Sequence, residues 1–200
     1  MIEKLKILQH VYTHPLLTED DLLIISSLHK KIAYKKGDFY LKKGEKPGSY
    51  LILQSGLMRS FVVDYEGNEI TTHFFTEREV VIEVLSLFKR NPSQESIQAL
   101  TNCICWEIDF EAFEKLFHTI PGLSEWGRAW FSEGLSQFKQ RSVEMITQRA
   151  AERYMKLIRE KPQVIRQAPL KQIATYLGIT DTSLSRIRKE LSKGSFLATR

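Results

Sequence analysis

Gly178 splits residues 170–191, LKQIATYLGITDTSLSRIRKEL, into two helix-length runs, and the residues around it leave few folds open. Pro169 suits a first helical position, where its missing N–H would be unpaired in any case. Gly178 suits a left-handed helix end, a conformation that residues with a Cβ adopt only under strain. The two frame LKQIATYL as a two-turn helix, and Thr180 can cap a second helix, DTSLSRIRKEL, through its hydroxyl. Ala174 leaves room for the second helix to cross closely, while Ile173, Leu177, Leu184 and Ile187 supply a mutual core. Two helices joined through Gly178-Ile179-Thr180 make a helix-turn-helix.

On the second helix this arrangement leaves Asp181, Thr182, Ser185, Arg186 and Lys189 facing outward. They are short polar groups and cations at the end that would enter a major groove, where Arg reads guanine bidentately and Asp accepts from cytosine. Lys171, Ser183 and Lys189 suit phosphates instead, which fix register without carrying sequence information. Any one of these residues alone would read as a solvated helix face. Charge weighs against that reading: residues 148–200 carry 12 Lys and Arg against 4 Asp and Glu, while residues 1–147 carry 17 against 20. The resulting +8 on the C-terminal quarter marks it as the place where a polyanion would bind, so double-stranded DNA is the expected partner.

The rest of the chain changes character twice. Residues 1–30 show helical apolar spacing at Leu5, Leu8 and Val11, then at Leu16, Leu22, Leu23, Ile25 and Leu28 beyond a Pro15 break. From Lys31 to Ile108 the chain is β-rich: SYLILQSG, LMRSFVVD, ITTHFF, SIQAL and CICWEID alternate with glycine turns, the pattern of a small antiparallel sandwich or barrel. Helical spacing returns at Phe110 and, past Pro121-Gly122, runs from about Leu123 to Thr147. Along that run Phe131, Leu135, Phe138, Ser142 and Met145 are spaced 4, 3, 4 and 3, a heptad seam. The seam predicts a homodimer held by Phe131, Leu135, Phe138 and Met145. The fold class is therefore α+β, with a sheet unit and flanking helices at 1–120, a dimerisation helix at 121–147 and a helix-turn-helix unit at 148–200.

Composition closes other classes. With 42% hydrophobic and 26% charged residues the chain can build real cores. No stretch approaches the ~20 apolar residues of a membrane span, and MIEKLKILQHVYTH lacks the apolar block of a secretory signal, so no membrane partner and a cytoplasmic location are expected. Cys103 and Cys105, as strand neighbours roughly 6.6 Å apart, are too distant for a disulfide and read as buried core thiols. No catalytic constellation stands out, and only His73 of the five histidines lies in the strand region, which counts against a cupin-like metal enzyme and leaves no metal site.

On QIATYLGITDTSLSRIRKEL and on YKKGDFYLKKGEKPGSYLILQSGLMRSF, the chain resembles the Crp/Fnr family of bacterial transcription regulators over nearly its whole length. The resemblance implies a β-roll sensor of cyclic-nucleotide-binding type, a dimerisation helix and a winged-helix DNA reader on a near-palindromic site, with RNA polymerase as a further partner. It places Asp181, Thr182 and Arg186 at the family's base-contacting positions, Thr182 standing where Glu is commoner. In the nucleotide site the family carries Gly-Glu and, about a dozen residues on, Arg-Ser or Arg-Thr. Here the matching pairs are Ile82-Glu83 and Glu95-Ser96. Glu95 in place of the phosphate-binding Arg sets two like charges together, a repulsion of ~4 kcal/mol at about 4 Å and an effective dielectric near 20. The sensor is therefore expected not to bind cAMP, with a cAMP- or cGMP-dependent regulator as the alternative and Arg90 as a cation that could swing in. An iron–sulfur sensor needs four Cys ligands, and a haem would need His73 or a Cys, so no cofactor is expected and the effector is left unassigned. The few residues after Leu191, SKGSFLATR, predict that the two-stranded wing is absent or truncated.

Overall fold

Pro15 does end the first apolar run. In the computed structural model, which describes residues 2–192, α1 (Ile2–Val11) and α2 (Glu19–Leu28) are separate helices. The second starts in a capping box: Thr18 accepts from the Asp21 amide while Asp21 accepts from the Thr18 amide, so two otherwise unpaired donors are satisfied together.

Eight strands follow among the described residues: β1 (Lys30–Tyr34), β2 (Phe39–Leu41), β3 (Ser49–Ser55), β4 (Met58–Val63), β5 (Glu69–Phe75), β6 (Val80–Val81), β7 (Ser96–Ala99) and β8 (Cys103–Asp109). They form two four-stranded sheets in the orders β1-β8-β3-β6 and β2-β7-β4-β5, and every pairing is antiparallel. Five strands coincide with the five apolar runs; β1, β2 and β6 are too short or too charged to stand out by alternation. Leu41, Leu51, Leu53, Met58, Phe75, Ile97, Cys103 and Cys105 fill the space between the sheets. Both thiols are free and buried, and burial pushes Cys105 up to about 12.

The helix α3 (Val84–Lys89) interrupts the strands, α4 (Phe110–Thr119) follows them, and α5 (Pro121–Thr147) is the longest described helix. Its first turns are anchored. Trp126 is buried against Tyr12 and Phe113, and its indole N–H donates to Val11 O at 2.7 Å. Farther along, Leu135 and Phe138 stand 70% and 71% exposed.

After Thr147 come α6 (Ala150–Glu160), α7 (Pro162–Gln167), α8 (Leu170–Tyr176) and α9 (Asp181–Ser192). Among the described residues, this segment shares its core with the sheet unit. Tyr154, Leu157, Val164, Ile173, Ala174, Leu177 and Leu184 share one cluster with Leu57, Phe74 and Leu100 of the sheet unit. Pro169 sits one residue earlier than its expected helical position, as the cap preceding Leu170, because its extended ψ of 141° turns the chain out of α7. The expectation about the wing falls on residues 193–200, outside the described residues.

Candidate nucleic-acid interface and sensor pocket

The turn between α8 and α9 has the geometry that its residues demand. Gly178 adopts φ +68°, and Ile179 N donates to Ala174 O at 3.0 Å, closing the end of α8. Thr180 Oγ1 then accepts from Ser183 N at 3.2 Å and caps α9. Leu184 is fully buried against Ile173, Ala174 and Leu177, which fixes the rotation of α9. That rotation leaves Asp181, Thr182, Ser185, Arg186 and Lys189 exposed, with Lys171 exposed at the start of α8 and Ser183 half-buried. Among the described residues Arg186 is tethered only to Glu190, Nε to Oε1 at 4.0 Å, with 76% of its side chain exposed. A surface pair of that kind holds at most about 1 kcal/mol, so the guanidinium is free to take another acceptor. Asp181 Oδ1 accepts from Thr182 N at 2.9 Å, which orients the carboxylate at the helix entrance.

The four sensor residues have different partners. Glu95 lies just before β7, its carboxylate beside the Ser60 and Thr72 hydroxyls, which are hydrogen-bonded to each other at 2.7 Å, with Arg141 and Glu83 also within electrostatic reach. Burial is the main influence and raises its pKa; Glu83 adds to the rise, and the hydroxyls and Arg141 oppose it. Glu83 is spent on local structure: it caps α3 by accepting from Leu85 N at 3.3 Å and Ser86 N at 2.7 Å. Ser96 Oγ accepts from Lys43 N at 3.0 Å. Ile82 packs against the other core, lining an apolar cavity with Phe88, Trp126 and Trp130. Arg90 does not swing inward: it ends α3 at φ 55° with its guanidinium over the Phe110 ring, 4.7 Å from the centroid. His73 Nε2 is 3.4 Å from Lys161 Nζ, and burial with the nearby Lys161 and Arg141 cations holds its pKa well below the usual range. Among the described residues no group of three or more His, Cys, Asp or Glu is placed to hold a metal ion.

On α5 the seam residues divide into two pairs. Leu135 and Phe138 are open, whereas Phe131 packs edge-on to Phe88 at 5.2 Å and Met145 leans toward the α8–α9 turn, its Cε 2.7 Å from where a Cβ on Gly178 would stand. Sequence reasoning missed the cations around this junction. Lys161 Nζ donates to Phe74 O at 2.6 Å and pairs with Glu79 at 2.8 Å, and Arg153 donates to Leu177 O at 2.8 Å. Arg141 donates to Thr72 O and Tyr176 O. Arg141 lies three residues beyond Phe138 and four before Met145; a cation beside an apolar seam was the one available signal.

With two antiparallel sheets interrupted by a short capped helix and followed by a long one, residues 31–119 match the model of the cyclic nucleotide-binding domain. The transcriptional activator protein anr of Pseudomonas aeruginosa is 31% identical over 108 residues, 54% of this chain and 43% of that protein, so the chain spans less than half the length of this curated relative. In fold, the chain is similar to the c-di-GMP responsive global regulator CLP of Xanthomonas campestris, with a TM-score of 0.70, 15% identity, and 92% and 96% of the two chains covered. It is also similar to the catabolite activator protein of Thermus thermophilus, with a TM-score of 0.59, 17% identity, and 92% and 87% covered. Over residues 31–119 the chain is thus similar to a cyclic nucleotide-binding domain, and over most of its length its fold is similar to that of these two regulators. Among the described residues no helix is long and apolar enough to cross a membrane.

Proposed function

We propose that the protein is a dimeric, sequence-specific DNA-binding transcription regulator whose sensor does not take cAMP. The observation that carries this reading is the face of α9, where Asp181, Thr182 and Arg186 are exposed together on a helix fixed by the buried Leu184 and the Gly178 turn. Arg186 reads a guanine, Asp181 and Thr182 read its neighbours, and Lys171, Ser183 and Lys189 hold phosphates. Two copies meet along Leu135 and Phe138, aided by Phe131 and Met145, and present their α9 helices to successive major grooves of a near-palindrome.

Support for a sensor without cAMP comes from Glu95. Its carboxylate lies beside the Ser60 and Thr72 hydroxyls, and an anionic phosphodiester would meet a second negative charge there. No cofactor is needed for DNA binding on this reading. Fluorescence anisotropy with labelled duplexes tests both parts. Wild-type protein should prefer one sequence over competitors with or without added cAMP, and Arg186→Ala should lose about 1–3 kcal/mol of that preference. Binding that requires cAMP or cGMP would instead establish the nucleotide-dependent alternative.

A further inference from the structure

Arg141 belongs to α5, yet its guanidinium serves two other elements. It donates to Thr72 O on β5 and to Tyr176 O at the end of α8, the latter at 3.1 Å, and it lies 4.0 Å from the centroid of the Tyr176 ring. Tyr176 itself packs edge-on to Phe74 of β5 at 5.2 Å, so the stacked guanidinium closes a contact between sheet and helix. The amide of Thr71 donates to Thr175 Oγ1 at 3.2 Å beside it. Thr72 is shared: its carbonyl accepts from Arg141 while its hydroxyl is hydrogen-bonded to Ser60 Oγ at 2.7 Å, beside Glu95. Among the described residues, the other cations at this junction, Lys161 and Arg153, do not reach α5, β5 and α8 together as Arg141 does.

We propose that Arg141 is a positioning residue for DNA binding, an internal tie that fixes the helix-turn-helix on α5 and on the sensor sheet in its DNA-reading orientation. This inference rests on the regulator reading above. A dimer must set two recognition helices about 34 Å apart, so a helix-turn-helix free to rock on the seam helix would bind mismatched spacings. The alternative, a latch that holds the module off DNA, would cover the reading face. In the tied arrangement Asp181 and Thr182 are exposed and the Arg186 side chain is 76% exposed, so the tie is compatible with DNA. Lysine cannot replace this group, because a point ammonium lacks the planar fork that reaches two carbonyls while lying on a ring.

The test compares wild type, Arg141→Ala and Arg141→Lys by anisotropy on the selected duplex and by amide hydrogen exchange without DNA. Both variants should speed exchange at Thr71 and along Leu170–Leu177. If the competent fraction falls to about a tenth, specific affinity falls about tenfold. The salt slope should be unchanged, because the residue touches no phosphate. Millimolar methylguanidinium should restore binding to Arg141→Ala, relative to sodium chloride of equal ionic strength, and leave wild type unaffected. Should the Ala variant fail to fold, Arg141→Lys carries the comparison, since it keeps the stem and the charge. Unaltered binding or exchange, tighter binding, or a slope reduced by about 1 would each overturn the tie. Wild-type protein that binds no duplex would bring down the regulator reading and this inference together, whereas wild-type binding matched by both variants strikes the tie alone.

Discussion

Gly178→Ala puts a Cβ where the backbone and a neighbour both resist it. The residue sits at φ +68°, and left-handed backbone costs an L-residue roughly 1–2 kcal/mol. The added Cβ would also lie 2.7 Å from Met145 Cε, but that atom ends a flexible side chain on a residue 39% exposed, so it can move aside cheaply. The expected loss is therefore the backbone's, about 1–2 kcal/mol. At roughly 2–4 °C per kcal/mol for a chain of this size, it lowers the melting midpoint by about 2–8 °C. Gly178→Asn is the control, because asparagine tolerates the left-handed region and should lose less. Thermal unfolding followed by circular dichroism reads both. An alanine variant melting with wild type, or an asparagine variant melting lower than alanine, would refute the assignment of the cost to backbone conformation.

His29 is held neutral by burial, its pKa pushed down to about 4 from 6.5, with Nδ1 against Ile25 O at 2.9 Å and Nε2 against Tyr12 Oη at 3.1 Å. A lowered folded-state value means the contribution is complete above pH 6.5 and is lost as pH falls toward 4, a swing of about 3 kcal/mol; His29→Gln should flatten urea stability across that window, and an unchanged slope would contradict this. Burial raises the Glu95 carboxyl, so its neutral form is favoured on folding and stability declines as pH rises through the raised value. Glu95→Gln should therefore gain stability at neutral pH and none below the ordinary carboxylate range, whereas equal gains at all pH values would point to packing alone. Phe138→Asp sets a charge in the proposed seam at a position 71% exposed in one chain, and sedimentation should then show monomers of normal stability. Glu95→Arg should gain weak cAMP affinity in calorimetry, limited because Glu83 is committed to the α3 cap and Ile82 points into the other core.

The helix-turn-helix was legible because each position has a local cause: a glycine that must turn, a threonine that must cap and apolar residues at helical spacing. The same holds for the five strands with clear apolar runs. What escaped notice is nonlocal. Ile82 and Arg90 sit next to Glu83 and Lys89 in sequence, but Ile82 lines the apolar cavity and Arg90 lies over the Phe110 ring. Arg59 reads as an ordinary polar strand residue, yet it is 2% exposed and pairs with Glu69, Thr71 and Gln98 from three points on the sheet. Arg141 and Lys161 gain their partners only once the C-terminal helices fold back on β5. The mutual core of Ile173, Leu177 and Leu184 was legible, but its continuation onto Phe74 and Leu57, far upstream, was not.

Selection of bound duplexes from a random pool tests the central claim most directly, because it reads base recognition and two-fold symmetry in one measurement. Wild-type protein should enrich a near-palindrome whose half-sites lie about one helical turn apart, and Arg186→Ala should erase preference at one position in each half. A pool that stays random after repeated rounds, or that enriches single asymmetric half-sites, would contradict a dimeric DNA-reading regulator.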